Sequence, residues 1–381
     1  NFKLMKKITH LTIIHKRYDG RIFFKECSSL AKINDYCVNL VVADCNGDEI
    51  KNNVNIYDIG TTYKSRLRRM FVGSRKILQK AIDLNSDIYH IHDPELIPTG
   101  LKLKKLGKKV IFDSHEDVSE DIMLKNWIPF FIRKIISILY VYFEKYALKN
   151  FDFVITPTEF INDKLKKINP STARISNYPI VEDFYYNERN WEEKNNEIVY
   201  VGGISIIRGI EQMINYISSE KKVTLNLAGD FYDQKGKEIV TAFSGKNLKY
   251  KGFIEKSELL KLIDSSKIGL TILYPTKTYI HSLPIKVFEY MALGIPVIVS
   301  NFPLFESIVI KNKCGLSVNP FDDIEIRESI NHIMNNPKLA AKMGANGREA
   351  VLTKYNWEIE EKKLFKLYNS LMNDQLDKKF H

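Results

Sequence analysis

Short apolar runs alternate with helix-spaced stretches through the first half of the chain. Residues 7–14 and 38–43 read as buried strands, with helical periodicity over 23–33 between them. A basic helix is predicted over 66–82, a strand over 88–91, and a helix over 95–106 that stops at Gly107. Further strands are expected at 110–112 and 153–155. Near-continuous apolar strands separated by helices predict a parallel sheet covered on both faces. The rhythm restarts after the polar stretch 187–196, the expected linker. Strands are predicted at 197–201, 223–228, 268–273 and 296–299, and helices over 286–293, 323–334 and 337–355. The expected class is α/β, with two Rossmann-like domains and a ligand cleft between them lined by the carboxyl ends of strands.

The chain has 381 residues, more than one ordinary core accommodates. With 44% hydrophobic and 27% charged residues it is neither disordered nor fibrous. No apolar run reaches the roughly 20 residues that span a bilayer. Met5-Lys6-Lys7-Ile8 reads like a native start without a secretory pattern, and residues 1–4 are set aside. Cys27, Cys37, Cys45 and Cys314 form no Cys-x-x-Cys pair, so they are expected as buried or half-buried free thiols in a reducing cytosol. The net charge of +11 is uneven. Residues 1–180 hold 30 Lys and Arg against 20 Asp and Glu, whereas the remainder holds 27 against 26. Such a field favours an anionic partner: a membrane surface, a phosphate-bearing acceptor or nucleic acid.

Five constellations carry candidate chemistry. In the segment from Ser282 to Pro296, Pro284 marks a helix start whose free N–H groups form an anion site. Lys286 adds charge in that first turn, and Glu289 lies one turn on, within reach of a hydroxylated ring. A plain helix with a capping proline and a surface Lys–Glu pair explains the same residues. In Tyr200-Val-Gly202-Gly203 and Arg208-Gly209, glycines at a strand end admit a ligand, and Arg208, opening the next helix, forks onto a diphosphate. In His90-Ile-His92-Asp93-Pro94-Glu95, His92 and Glu95 are catalytic, ligand-positioning or capping groups, and Asp93 is an N-cap. Asp113-Ser-His115-Glu116-Asp117 ends another strand; its spacing matches no standard His/carboxylate metal site, and no metal is expected. After the first strand come Asp19, Gly20 and Arg21, a positive-φ turn followed by a cation for an anion.

Two segments suit a membrane surface. Residues 61–80 hold seven basic residues and no acid, with Tyr63, Met70 and Phe71 interleaved, and the basic run proper spans 64–80. Residues 127–143 are strongly apolar, broken by Arg133 and Lys134. A basic, aromatic-bearing helix pair of this kind reads as an interfacial patch; an ordinary solvated helix beside a core helix is the alternative.

These pieces occur in the order seen in retaining GT-B glycosyltransferases, and the chain resembles the family 4 enzymes of bacterial surface polysaccharides across essentially its whole length. The register is most specific over 197–300, through Val201-Gly202-Gly203, Arg208-Gly209, Leu227-Ala-Gly229, Gly252-Phe253-Ile254 and Phe288-Glu289-Tyr290-Met291-Ala292. The resemblance implies an acceptor-binding domain over 1–186, with a helix over 356–381 crossing back to it, and a nucleotide-sugar domain over 187–355. It implies that Glu289 holds the ribose, that the turn through Ser282, Leu283, Pro284, Lys286 and Val287 holds the diphosphate, and that Arg208 neutralises the leaving group. Gly252, Phe253 and Ile254 would frame the base, Gly202, Gly203, Gly229 and Gly20 would line the donor, and His115 would contact the donor sugar near the reacting carbon. Asp19, Arg21, His92 and Glu95 would face the acceptor.

There are two departures. His281 stands where the family has its first glutamate, and Gly202-Gly203 replaces a Gly-Arg pair, leaving Lys286 to compensate. The implied activity is transfer of a hexosyl or N-acetylhexosaminyl group from a nucleoside-diphosphate sugar, UDP-linked by family habit, with no metal or other cofactor. The implied acceptor is a glycan or an undecaprenyl-diphosphate-linked glycan at the inner face of the cytoplasmic membrane, and no nucleic-acid module is recognised. A nucleotide-sugar epimerase is the enzymatic alternative, with Glu95, Glu116 and Asp117 as its acid/base candidates. A basic nucleic-acid-binding protein is the non-enzymatic one.

Overall fold

In the computed structural model, which describes residues 5–63, 65–124, 129–184 and 191–377, the chain divides into two units. One comprises Asn1–Asn177 with Ile359–His381, the other Tyr178–Glu358. The first division thus falls earlier than the expected 186/187, and the start of the expected linker lies outside the described residues.

The first unit holds β1 (Lys6–Leu11), β2 (Tyr36–Val42), β3 (Glu49–Lys51), β4 (Val54–Asp58), β5 (Ile88–Ile91), β6 (Lys109–Asp113), β7 (Phe153–Thr156) and β8 (Thr172–Arg174). Their order is β3-β4-β2-β1-β5-β6-β7-β8, and only β3 runs antiparallel to its neighbour. The central strands are apolar on both faces, which is why Ile8, Leu11, Leu40, Ile88, Ile91 and Ile111 all sit in the core. The second unit is a wholly parallel sheet of β9 (Glu197–Val201), β10 (Thr224–Ala228), β11 (Leu248–Tyr250), β12 (Ile268–Thr271), β13 (Val297–Ser300) and β14 (Gly315–Val318), in the order β11-β10-β9-β12-β13-β14. Each unit is Rossmann-like and places the ends of its central strands, where ligands bind in such sheets, beside one another.

Several elements differ from expectation. The helix expected over 23–33 is a π-turn, Ile22–Cys27, running into one α-turn, Ser28–Leu30. The basic helix continues to Leu84 through a π-segment, Arg69–Gly73, and ends on Asn85 in the left-handed region. Arg208 closes a short 3-10 turn, Ile206–Arg208, rather than opening a helix. Cys45 is exposed, whereas Cys27 and Cys314 are buried. The apolar helix runs from Phe130 to Asn150; residues 127 and 128 lie outside the described residues. The helix Trp357–Asp377 returns to the first unit, where Glu360 accepts the Ser176 N–H (3.0 Å) and Tyr36 donates to Asn369 (2.9 Å).

Within the Phe130–Asn150 helix, Glu144 is 5% exposed and accepts from Tyr140 (3.1 Å). Burial pushes its carboxyl up from 4.5 to about 7, with Lys164 opposing. A carboxyl raised in the folded state costs nothing below pH 4.5, where both states are protonated. The cost grows as pH rises from there and is complete above about 7, approaching 3 kcal/mol. Glu144→Gln is therefore expected to stabilise the protein at pH 8 and to leave pH 5 little changed, as read by urea midpoints at the two pH values.

Candidate active site

In the second unit the site grows from three strand ends. β9 runs into Gly202, at φ +120°, whose N–H donates to Ala228 at the end of β10 (2.8 Å). Gly229, at φ +138°, donates in turn to the Gly252 carbonyl beyond β11 (2.7 Å). These positive-φ turns need glycine, and a Cβ on Gly229 would also run into the Gly202 carbonyl oxygen. Gly229→Ala is expected to cost about 3 kcal/mol, measurable by urea unfolding, because neither the φ nor the carbonyl can give.

Two cations meet over this floor. Arg208 lies over the rings of Tyr232 (4.8 Å) and Tyr279 (5.7 Å), and its Nε donates to the Tyr279 hydroxyl (2.9 Å). Lys286 Nζ sits 3.9 Å over the Tyr200 ring and 2.9 Å from where a Gly202 Cβ would stand. At position 203, where the family has its arginine, a Cβ would stand 2.7 Å from the Tyr232 ring, so the glycine there and Tyr232 go together. Burial and then Arg208 hold the Lys286 ammonium well below its ordinary range, and Glu289 opposes them. Lys286 belongs to the helix Ile285–Ala292, whose first turn carries no side-chain cap on Pro284. Uncapped N–H groups and two close cations together make a strong anion site. Tyr290, one residue past Glu289, accepts the Val201 N–H (2.9 Å) and pins this helix to β9. His281 ends the Lys277–Ile280 helix and Ser282 donates to the Tyr279 carbonyl (3.1 Å), so the turn before Pro284 is tied to the residue that holds Arg208. Leu283, Pro284 and Val287 pack on the apolar side of that turn. Phe253, beside Gly252 and Ile254, is 72% exposed, an apolar face free to take a planar base.

In the first unit the ends of β1, β5 and β6 gather a second group. Asp113 is fully buried and receives Arg21 through two bonds (Nε 2.7 Å, Nη2 2.9 Å). It also lies 2.9 Å from His115 Nε2 and 3.4 Å from His92 Nδ1. Burial pushes His92 down to about 4 against the pull of Asp113. Of the side chains around Asp113 itself, Arg21 and His92 are buried and His115 stays partly exposed, at 21%. His15 reaches both Asp19 (3.5 Å) and Asp93 (3.4 Å). Despite desolvation, Asp19 is held below its ordinary value by His15 and the Ile22 and Arg21 N–H groups.

Four expectations are corrected here. Gly20 does not adopt a positive φ, and its turn is made instead by the Asp19 carboxylate. Arg21 meets internal carboxylates. Asp93 caps no helix; it accepts from Thr12 Oγ1 (2.9 Å) and the Ile13 N–H (2.5 Å), closing the loop after β1. Glu95 is held by a two-bond pair with Arg69 (2.6 and 2.7 Å). The sequence reading gave no role to Tyr232, Tyr279, His10 or Glu26. Stacking tyrosines far from the glycine motif leave no local signal; His10 was readable only as a polar residue inside an apolar strand.

Residues 29–177 match the model of Glycosyltransferase Family 4, and residues 181–350 that of Glycosyl transferases group 1. An uncharacterised glycosyltransferase of Methanocaldococcus jannaschii is 23% identical over 350 residues, 91% of this chain and 93% of that protein. Among solved structures, sucrose-phosphate synthase from Thermosynechococcus elongatus has a TM-score of 0.77 at 18% identity, covering 97% of this chain and 100% of that one. Anabaena HepE in complex with UDP-glucose has a TM-score of 0.70 at 14% identity, covering 96% and 99%.

Proposed function

Because the chain belongs to the GT-B glycosyltransferases, with a family 4 half and a group 1 half, we propose that it moves a sugar from a nucleoside-diphosphate donor, UDP-linked, to a glycan or lipid-diphosphate-linked glycan in surface-polysaccharide assembly. The observation that carries the donor assignment is the convergence of Arg208, Lys286 and an uncapped helix N-terminus over a floor of glycines. That the neighbour HepE was crystallised with UDP-glucose favours UDP.

Such a site supplies the charge stabilisation that a departing diphosphate needs, and two cations with a helix dipole do this without a metal. The C1–O bond to the diphosphate breaks, the acceptor oxygen bonds C1 on the same face, and the acceptor proton passes to the departing phosphate oxygen. The anomeric configuration is then retained. Glu289 holds the ribose hydroxyls. His115, oriented by Asp113 and partly exposed, would contact the donor sugar. The epimerase reading loses support, since Glu95 is paired with Arg69 and Asp117 with Lys164.

The test is a thermal-shift series with UDP, GDP, ADP and dTDP, with and without EDTA, on wild type and Glu289→Ala. A ligand at a hundred times its dissociation constant adds roughly 2.7 kcal/mol of stability. A shift with UDP alone, insensitive to EDTA and lost in the variant, is expected; no shift with any diphosphate removes the donor site.

The membrane half of the proposal rests on the Phe130–Asn150 helix, where Phe131 (79%), Leu139 (62%) and Tyr142 (71%) are exposed along with Ile132 and Ile135. Met70, Phe71 and Val72 are exposed in the basic helix as well. Among the described residues no helix is long and apolar enough to cross a membrane, so such faces would lie on it. Paired Phe131→Glu and Leu139→Glu changes are expected to cut co-sedimentation with anionic vesicles by about 10-fold or more, since each buried apolar side chain is worth about 1.5–3 kcal/mol. UDP binding in solution should be unchanged.

A further inference from the structure

One buried cluster, which shares only His92 with the group around Asp113, takes no part in the transfer steps above. His10 on β1 stands opposite His90 on β5 in register, and His92 follows two residues on, so all three imidazoles leave one face of the sheet together. Their ring centroids are 4.4–5.1 Å apart. Glu26, in the π-turn Ile22–Cys27, covers that face, and all four side chains are fully inaccessible or within 1% of it. The carboxylate is poorly served. Neither oxygen accepts a hydrogen bond, although Oε1 lies 3.1 Å from an Arg21 Nε that is committed to Asp113. Its Oε2 stands 4.0, 3.8 and 3.9 Å from His10 Nδ1, His90 Nδ1 and His92 Nε2, too far for hydrogen bonds to any of them. His10 Nδ1 and His92 Nε2 are 2.9 Å apart. The four ligand atoms lie within 4.8 Å of one another.

We propose that His10, Glu26, His90 and His92 bind one divalent transition-metal ion of the zinc class, as a structural site of the first unit. Ligands 2.0–2.1 Å from a tetrahedral ion are about 3.3 Å apart, and the observed separations straddle that value. A dication gives a carboxylate that accepts no hydrogen bond a direct partner, which an apolar or neutral filling would not. The surroundings fit as well. His92 turns its other nitrogen to the Asp113 carboxylate (3.4 Å), and His10 turns Nε2 to the Tyr368 hydroxyl (3.4 Å), the outer partners that set a ligating imidazole's tautomer. Tyr368 also lies 2.9 Å from His90 Nδ1, the nitrogen nearest Glu26, and that contact would give way to the ion, which would fasten β1, β5 and the π-turn. The four ligands come from three separated segments, which is why no spacing in the sequence announced them. This site is independent of the metal-free diphosphate site proposed for the second unit.

The test is the metal content of the full-length protein, purified without affinity metals or chelators and digested for elemental analysis. About one ion per chain is expected, reduced to background in Glu26→Gln and His90→Ala and retained in His115→Ala. Because the ligands close only on folding, the protein refolded from denaturant with chelator should regain its thermal midpoint when zinc is added and not when magnesium is added. Refolding with cobalt should give the intense visible bands of a tetrahedral ion, which reads the site even where a variant fails to fold. Less than about a tenth of an ion per chain in wild type, with no zinc or cobalt uptake on refolding, overturns the proposal in favour of a proton-sharing cluster or a trapped water. Loss of the ion in His115→Ala but not in Glu26→Gln overturns it in favour of the His92–Asp113–His115 group.

Discussion

Arg208→Ala and Lys286→Met are each expected to lower turnover with the nucleotide sugar by about 10²–10³-fold, with a smaller rise in donor KM. Removing one preorganised charge aimed at developing negative charge costs roughly 2.7–4 kcal/mol of transition-state stabilisation. The geometry argues for that split. Both cations already hold aromatic partners, Arg208 on Tyr232 and Tyr279 and Lys286 on Tyr200, so they need no ligand to order them. They stand close together over the Gly202 floor, and burial and Arg208 already push Lys286 down. The more negative charge gathers on the diphosphate as its bond to the sugar breaks, the more that strain is relieved. Lys286→Arg should not rescue, because Nζ already fills the space that a Gly202 side chain would claim. Steady-state kinetics decides the matter: an unchanged kcat with a raised KM would make both residues anchors of the ground state instead.

The second unit was the more legible half of the chain. Gly202, Gly229 and Gly252 sit where strands stop, and each has a φ only glycine adopts readily, so local chemistry and global fold agree there. Pro284 before an apolar, helix-spaced run marked a real helix start within a residue. What escaped was whatever depends on the third dimension. Tyr279 and Tyr232 reach Arg208 from other segments, across a shared floor rather than along a helix face. In the first unit β3 and β8 have three residues each and lie at the two sheet edges, too short and too exposed for an apolar signature. The π-turn at Ile22–Cys27 keeps an apolar rhythm close enough to an α-helix to pass as one, yet it turns Glu26 inward. Polar residues inside apolar strands, His10 and His90 above all, were the one sequence sign that the first unit's core is not wholly apolar.

That buried polar core makes Arg21 a sensitive side chain of the first unit. Its guanidinium is 5% exposed, gives two bonds to Asp113 and one to the Ile175 carbonyl (3.0 Å), and lies 3.1 Å from a Glu26 oxygen that accepts no hydrogen bond. Arg21→Met leaves the buried Asp113 carboxylate without its cation and is expected to destabilise the protein by about 3–5 kcal/mol, read from urea unfolding. The double change Arg21→Met with Asp113→Leu removes the stranded charge and should recover a large part of that loss. The pH dependence gives an independent check. Although burial alone would raise it, Arg21 and then His115 hold Asp113 well below 3.8. A carboxyl depressed in the folded state contributes stability that is fully present above its unfolded value and is lost as pH falls through the folded one. Wild type should therefore lose stability steeply below about pH 4, whereas Asp113→Asn, already weakened at pH 7, should fall less over the same range. A cost below about 1 kcal/mol for Arg21→Met, or parallel acid profiles for wild type and Asp113→Asn, would mean that packing rather than this ion pair holds the strand ends together.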